Sequence, residues 1–299
     1  MRLKVDLHLH TANDLVELVA GRKNLMSPKQ LIDLAVKHKF DAIAITHHGL
    51  QYQDAELSEY ARQKGLLLIN GVETYIHKKH VLLINFSAKK HVLNYSDLLR
   101  HKADDVLVIA PHPFYFLPEC LGKDLIRYHH CFDAIEFCHF YYRWFNPNRK
   151  AIRIAKQLNL PMVGNSDAHR SFQFGRTYSY VYAEEKTIPA IIRAIKAGKV
   201  EYVSQPLTLR EFLYELGWLL ESLPYVINIF LRKLALRTSQ PFLMRKFATP
   251  QLSPEALKVT NGQRVLNSTN GSRGPIGSEQ ERPQSMNLTS RVKLDDRLF

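Results

Sequence analysis

Short apolar runs alternate with amphipathic stretches over the first two thirds of the chain. The runs at residues 3–7, 41–46, 66–70, 81–86, 106–110, 133–137, 161–164 and 178–182 are the predicted strands. Several show no polar alternation, as expected of strands buried on both faces. Between them lie helical patterns. The clearest spans 28–39, where Ser27 is placed to cap, Pro28 takes the first helical position, and Leu31, Leu34 and Ala35 share a face. Residues 148–158 and 187–197 read the same way, the latter followed by Gly198. This repeated alternation predicts an α/β domain with a parallel sheet or a closed barrel.

The pattern changes near Gln205. Residues 208–223 read as a helix, and beyond Pro224 an apolar run leads into Arg232, Lys233 and Arg237. From about Thr249 onward Asn, Ser, Gly, Pro and Gln dominate. Such a segment buries too little apolar surface to offset the entropy of ordering it, so disorder is expected. The expected divisions are therefore an α/β barrel domain over 1–205, a helical extension over 206–248 and a disordered tail over 249–299. In the extension Leu213, Leu216, Leu219, Leu220 and Leu223 recur at helical spacing beside Trp218. Two readings stay open for them: packing on the domain or on a second subunit, or a membrane-surface helix with its basic end on anionic headgroups.

Composition adds bounds rather than an answer. A chain of 299 residues with 45% hydrophobic content holds one large domain with an appendage, and its formal net charge of +13 suits a phosphate-bearing partner. Nucleic acid stays open as that partner. Cys120, Cys131 and Cys138 form no paired motif, and no apolar signal segment precedes the first strand, so a cytoplasmic location is the expectation.

Candidate chemistry gathers at the ends of the predicted strands. Asp6-Leu7-His8-Leu9-His10-Thr11 comes first; residues two apart on a strand face the same side, so His8 and His10 can present two imidazoles to one metal. Thr46-His47-His48-Gly49, Gly71-Val72-Glu73, His80, Ala110-Pro111-His112-Pro113 and Asn165-Ser166-Asp167-Ala168-His169 follow. In parallel α/β folds such ends converge on one mouth. Imidazoles mixed with carboxylates suit manganese, zinc or iron.

This ordered set resembles the PHP family, named after polymerase and histidinol phosphatase domains, over roughly residues 1–203. The resemblance implies a distorted (β/α)7 barrel, two or three divalent metal ions at its C-terminal face, and hydrolysis of phosphoesters. It assigns His8 and His10 to a first metal and Glu73 to a bridge between metals. His48, His80, His112, Asp167 and His169 become further ligands. One more ligand is expected shortly after the opening motif; Asp14 is the nearest residue, with Glu17 the alternative. The chain departs from the family at Thr46-His47-His48, where the middle residue is usually aspartate. His139 falls near the mouth, with a structural role equally open.

Arg143, Arg170 and Arg176 are the residues expected to contact a substrate phosphate. A phosphorylated small molecule or nucleotide is the first choice of substrate, because no aromatic-plus-basic stacking platform declares itself in the sequence. An exonuclease, an amidohydrolase-type barrel and a non-catalytic metal-binding regulatory module are the rivals.

Overall fold

The computed structural model describes residues 1–87, 92–221 and 227. Its strands are β1 (Arg2–Leu9), β2 (Ala42–Ile45), β3 (Leu67–Ile76), β4 (Lys79–Ile84), β5 (Leu107–Ala110), β6 (Ala134–Cys138), β7 (Met162–Asn165), β8 (Thr177–Tyr182) and β9 (Val200–Ser204). The helices are α1 (Leu15–Val19), α2 (Pro28–Lys37), α3 (Ala55–Gln63), α4 (Tyr95–His101), α5 (Lys123–Arg127), α6 (Asn148–Leu158), α7 (Ile188–Lys196) and α8 (Leu209–Glu221). The expected tail over 249–299, and the expected extension beyond α8 apart from Ile227, lie outside the described residues.

All the strands join one sheet in the order β7-β6-β5-β4-β3-β2-β1-β8-β9, which curls into a nearly closed, distorted barrel. β1, β2 and β3 run parallel, as do β5, β6 and β7. β4 is antiparallel to both its neighbours, so these six strands point the same way and their C-terminal ends share one mouth. The sheet is thus mixed rather than purely parallel. The reason is local: His77 and Lys78 take φ of 48° and 66°, the left-handed pair of a two-residue hairpin turn, and reverse the chain at once. Glu73 consequently lies inside a long β3, and His80 inside β4.

The register pairs Tyr75 with His80, so Glu73 and His80 are diagonal neighbours on one face. β9 was not foreseen, because its sequence VEYVS is that of a half-exposed strand and forms no apolar run.

The barrel interior is filled by Leu3, Val5 and Leu7 of β1 together with residues from β2 through β8, and Ile191, Ile192 and Ile195 of α7 join the same cluster. Two further clusters pack the outer helices. Leu9 belongs to one of these rather than to the interior, because the β1–β2 register shifts between Asp6 and Leu9.

Closure has two parts. At the mouth a polar seam joins β1 to the turn after β7. Asn165 Oδ1 accepts from Leu7 N at 3.0 Å, Ser166 donates its hydroxyl to Asp6 at 2.6 Å, and His10 N donates to Ala168 O at 3.0 Å. Farther down, β7 presses on β8 and β9 at Gly164, where an added Cβ would stand 2.7 Å from Tyr178 O and 2.8 Å from Tyr202 Cβ. Gly164→Ala is therefore expected to destabilise the protein by about 1–3 kcal/mol, the usual cost of overpacking. Denaturant unfolding checks this; an unchanged midpoint would mean that β7 can retreat freely.

α8 carries a second surprise. Its inward face is Phe212, Glu215 and Trp218, the last two buried, whereas Leu213, Leu216 and Leu220 are all exposed. Phe212 stacks on Phe140 with ring centroids 5.7 Å apart, and Glu211 pairs with Arg176. Three leucines of the stripe noted in the sequence, Leu213, Leu216 and Leu220, thus lie on the outward side of the helix.

Candidate metal centre

Glu73 stands at the middle of the barrel mouth, 1% exposed. Its Oε2 lies 3.6, 3.5 and 3.0 Å from Nε2 of His8, His10 and His48. Its Oε1 lies 2.8 Å from His80 Nδ1 and 3.1 Å from His112 Nε2. Asp167 Oδ1 closes the set, 3.3 Å from His8 Nε2 and 3.4 Å from His10 Nε2. The structure thus brings His8, His10, His48, Glu73, His80, His112, Asp167 and His169 into one cluster. Overlapping groups of three potential ligand atoms, such as His8, His10 and Glu73 or His48, Glu73 and His80, lie within 4.8 Å of one another.

The imidazoles are oriented from behind. His8 Nδ1 bonds Glu136 at 2.9 Å, and Asn165 Nδ2 donates to the same oxygen at 2.9 Å. Asp14 Oδ2 lies 2.8 Å from Nδ1 of both His10 and His48. His169 Nδ1 donates to Asp167 O at 2.9 Å, and Cys120 Sγ is 3.5 Å from His112 Nδ1. The carboxylate and main-chain oxygens accept from Nδ1 of His8, His10, His48 and His169, which leaves Nε2 of each as a lone-pair donor.

Nε2 of His8 and of His10 are buried and make no hydrogen bond, although carboxylate oxygens stand nearby. Buried lone pairs facing one another are costly unless a cation lies between them, so the donor set fits divalent metal ions. Two donors hold strained backbone: His112 has φ 27° and Asp167 φ 48°.

Electrostatics point the same way. Burial opposes charge on Glu73, but His80, His8 and His48 outweigh it and hold the carboxyl well below its usual range. Burial likewise opposes charge on His8, yet Asp167, Glu136 and Glu73 raise it well above the usual imidazole value. The buried carboxylates thus favour positive charge at the centre of the cluster.

Asp14 sits behind His10 and His48, its Oδ1 capping α1 through Val16 N at 3.0 Å. Glu17, presented by α1, lines the pocket instead, with Oε1 3.6 Å from His169 Nε2. His47 does not join the cluster. It bonds Thr11 Oγ1 at 2.8 Å, and burial together with the neighbouring His10 pushes its pKa down to about 4. His47→Asp is expected to tighten Mn²⁺ binding by roughly tenfold by adding a charge behind the ligands. Calorimetric titration checks this, and unchanged affinity would make His47 a packing residue.

The three arginines expected at the phosphate are placed elsewhere. Arg143 is exposed, Arg170 donates to Lys23 O at 3.1 Å, and Arg176 pairs with Glu211; none lines the pocket. Arg22 does, with Nε 3.5 Å from Glu17 Oε2. The pocket encloses about 200 Å³ and is walled also by Tyr115, Leu117, Phe140 and Trp218. Around it lies an aromatic cluster the sequence did not announce. Phe116 packs on Phe145 at 5.6 Å and Trp144 on Tyr142 at 5.3 Å, with Phe116 and Trp144 over 80% exposed. Asn165 belongs to the polar cluster read after the seventh strand, whereas Glu136, Cys120, Arg22, Gln173 and Glu215 are likewise beyond what the sequence announces. Of these, Glu136 alone carried a signal, an acid inside an apolar strand.

Comparison with known proteins gives the same picture. Among curated proteins none matches the chain. A two-domain protein from Bacteroides vulgatus, described as containing a predicted PHP-like metal-dependent phosphoesterase, superposes with a TM-score of 0.51 at 22% identity, covering 72% of this chain and 68% of that one. PsfC from Pseudomonas syringae gives 0.52 at 16% identity over 75% of this chain and 99% of its own. A lesion-specific endonuclease from Pyrococcus furiosus gives 0.47 at 16% identity, over 73% and 66%. The PHP domain model matches residues 6–142 and the PHP-associated model residues 145–200, so the chain belongs to the PHP family.

Proposed function

We propose that this protein is a metal-dependent phosphoesterase that removes phosphate from small phosphate monoesters, nucleotides included. The observation that carries the reading is Glu73, one buried carboxylate whose two oxygens face separate groups of imidazoles. Divalent ions held there would make water a better nucleophile near neutral pH and offset charge on phosphoryl oxygens. His8, His10 and Asp167 hold the floor of the site; Glu73 bridges to His80 and His112; His48, Glu17 and His169 form the third side. Arg22, held between Glu17 and Trp218, is placed to meet a phosphoryl oxygen. A pocket of about 200 Å³ accommodates a phosphoryl group with a small part of its ester.

The test is phosphate release from sugar phosphates, nucleotides and short oligonucleotides by protein loaded with Mn²⁺, Zn²⁺ or Fe²⁺. Full metal loading without release from any of them would refute the reading. The exposed aromatic rings favour a second reading, in which the ester is a nucleotide at the end of a nucleic acid strand, since bases stack on such surfaces. Trp144→Ala then raises KM for oligonucleotides by about tenfold, stacking being worth about 1–3 kcal/mol per base. It leaves KM for glucose phosphates unchanged. Equal KM values for oligonucleotides in both proteins exclude a stacking role.

A further inference from the structure

The matched family segments end at residue 200, so α8 lies beyond them. This helix nevertheless reaches the cluster through side chains that are buried and mutually fixed. Glu215, 2% exposed, accepts from Gln173 Nε2 at 2.8 Å and lies 3.2 Å from His139 Nε2. Gln173 Oε1 accepts the backbone N–H groups of His169 at 2.8 Å and Arg170 at 2.7 Å. The carboxamide is therefore oriented from both ends. Reversing it would set its NH₂ against two N–H donors and its oxygen against a carboxylate. Carboxylate, carboxamide and the turn that presents His169 form one chain of bonds.

A second contact is independent of the first. The Trp218 ring lies 4.7 Å from the His169 imidazole, and the Arg22 guanidinium lies 3.8 Å from the centre of the Trp218 ring while reaching Glu17. Both contacts fall on the Glu17–His169 side of the pocket.

We infer that α8 is a working part of the metal centre. Glu215, acting through Gln173, and Trp218, packed on the imidazole, are positioning residues that fix His169 for a cation held beside Glu17 and His48. This rests on the reading of the cluster as metal-binding. An imidazole on an unsupported turn pays rotamer and backbone entropy when it binds, and the partners behind a ligand are typically worth about 10–100-fold in metal affinity.

The test is equilibrium dialysis of the full chain against Mn²⁺, counting ions bound at each free concentration. Glu215→Ala and Gln173→Ala are each expected to weaken one ion by tenfold or more and to leave the others within threefold. Glu215→Gln keeps an acceptor for Gln173 and restores that ion to within threefold of the unaltered protein. Gln173→Ala leaves α8 itself untouched, so it tests the same chain of bonds even where Glu215→Ala does not fold.

Wild-type affinity for every ion in Gln173→Ala, or an equal loss at all ions, would overturn the inference. Protein that binds Mn²⁺ as expected yet hydrolyses no phosphoester overturns only the phosphoesterase reading. Unaltered protein that binds no Mn²⁺ overturns both.

Discussion

Glu73→Gln is expected to remove metal from the protein and to lower phosphoester turnover by roughly a thousandfold or more, with the barrel still folded. The change is nearly isosteric, so packing is preserved and charge alone is altered. Five imidazoles face this carboxylate at 2.8–3.6 Å. A carboxamide would replace one charged oxygen by an NH₂, which cannot bind a cation, beside imidazole nitrogens that the bonds to Glu136 and Asp14 direct inward. Loss of metal forfeits several kcal/mol of transition-state stabilisation, and each 1.4 kcal/mol is about tenfold in rate. His8→Ala and Asp167→Ala are expected to act in the same direction. Metal analysis beside steady-state kinetics decides the matter: Glu73→Gln protein with full metal content and turnover within threefold of normal would remove Glu73 from the centre.

The second large effect is a reversal of pH dependence on metal removal. In the metal-free protein, burial opposes the charged form of His48, but Glu73 and Asp14 overcome it and raise its pKa to about 10; His8 is raised as well. A histidine raised in the folded state stabilises the protein fully below its unfolded value of about 6.5 and loses that contribution as pH rises through the folded value. Glu73 and Asp14 are depressed despite burial, because imidazoles surround the first and His10 and His48 bond the second. Their contribution is present above about pH 4.5 and disappears as pH falls through the depressed values. His47 works against the folded state below pH 6.5, since its pKa falls to about 4.

Stability of the metal-free protein should therefore peak near pH 6 and decline toward pH 9–10. The expected fall in Tm is about 5 °C or more, given about 2–4 °C per kcal/mol for a domain of this size. Saturating Mn²⁺ should reverse the slope between pH 6 and 8, because metal and protons compete for the same nitrogens. Thermal melts in chelator and in metal give the two curves. A metal-free Tm that rises from pH 6 to pH 9 would mean that protons do not hold the cluster together.

The clustering of these side chains was legible because several had a local signature: His8 and His10 at strand spacing, Glu73 and Asp167 just after apolar runs. Helix α6 was legible from end to end for a similar reason, its apolar positions being strongly periodic. What escaped notice depended on distant partners. Nothing near Cys120 says that it lies behind His112, and Gln173 gains its role only from Glu215, 42 residues later. Arg170 beside His169 looked like a phosphate contact, but its side chain turns to Lys23. The inward face of α8 misled because its most apolar stripe is not the buried one. Glu215 is covered because it has polar partners to satisfy it, which hydrophobic periodicity does not register. β4 reversed direction through His77 and Lys78, a pair without the glycine or asparagine that usually announces such a turn.

The polar seam between β1 and the turn after β7 also bears on the order of folding. Asp6 and Ser166 are 160 residues apart in the chain, and the donors on either side of them, His8 and His10 against Asp167 and His169, are almost as far. No early fragment holds both halves, so a metal ion cannot nucleate this barrel as it does a small zinc-stapled domain. The entropy of closing so long a loop must be met first by the apolar interior, and contacts of such sequence separation form slowly. Tight metal capture should then coincide with the last step of refolding, and the bound ions act as a latch on a ring that has already come round.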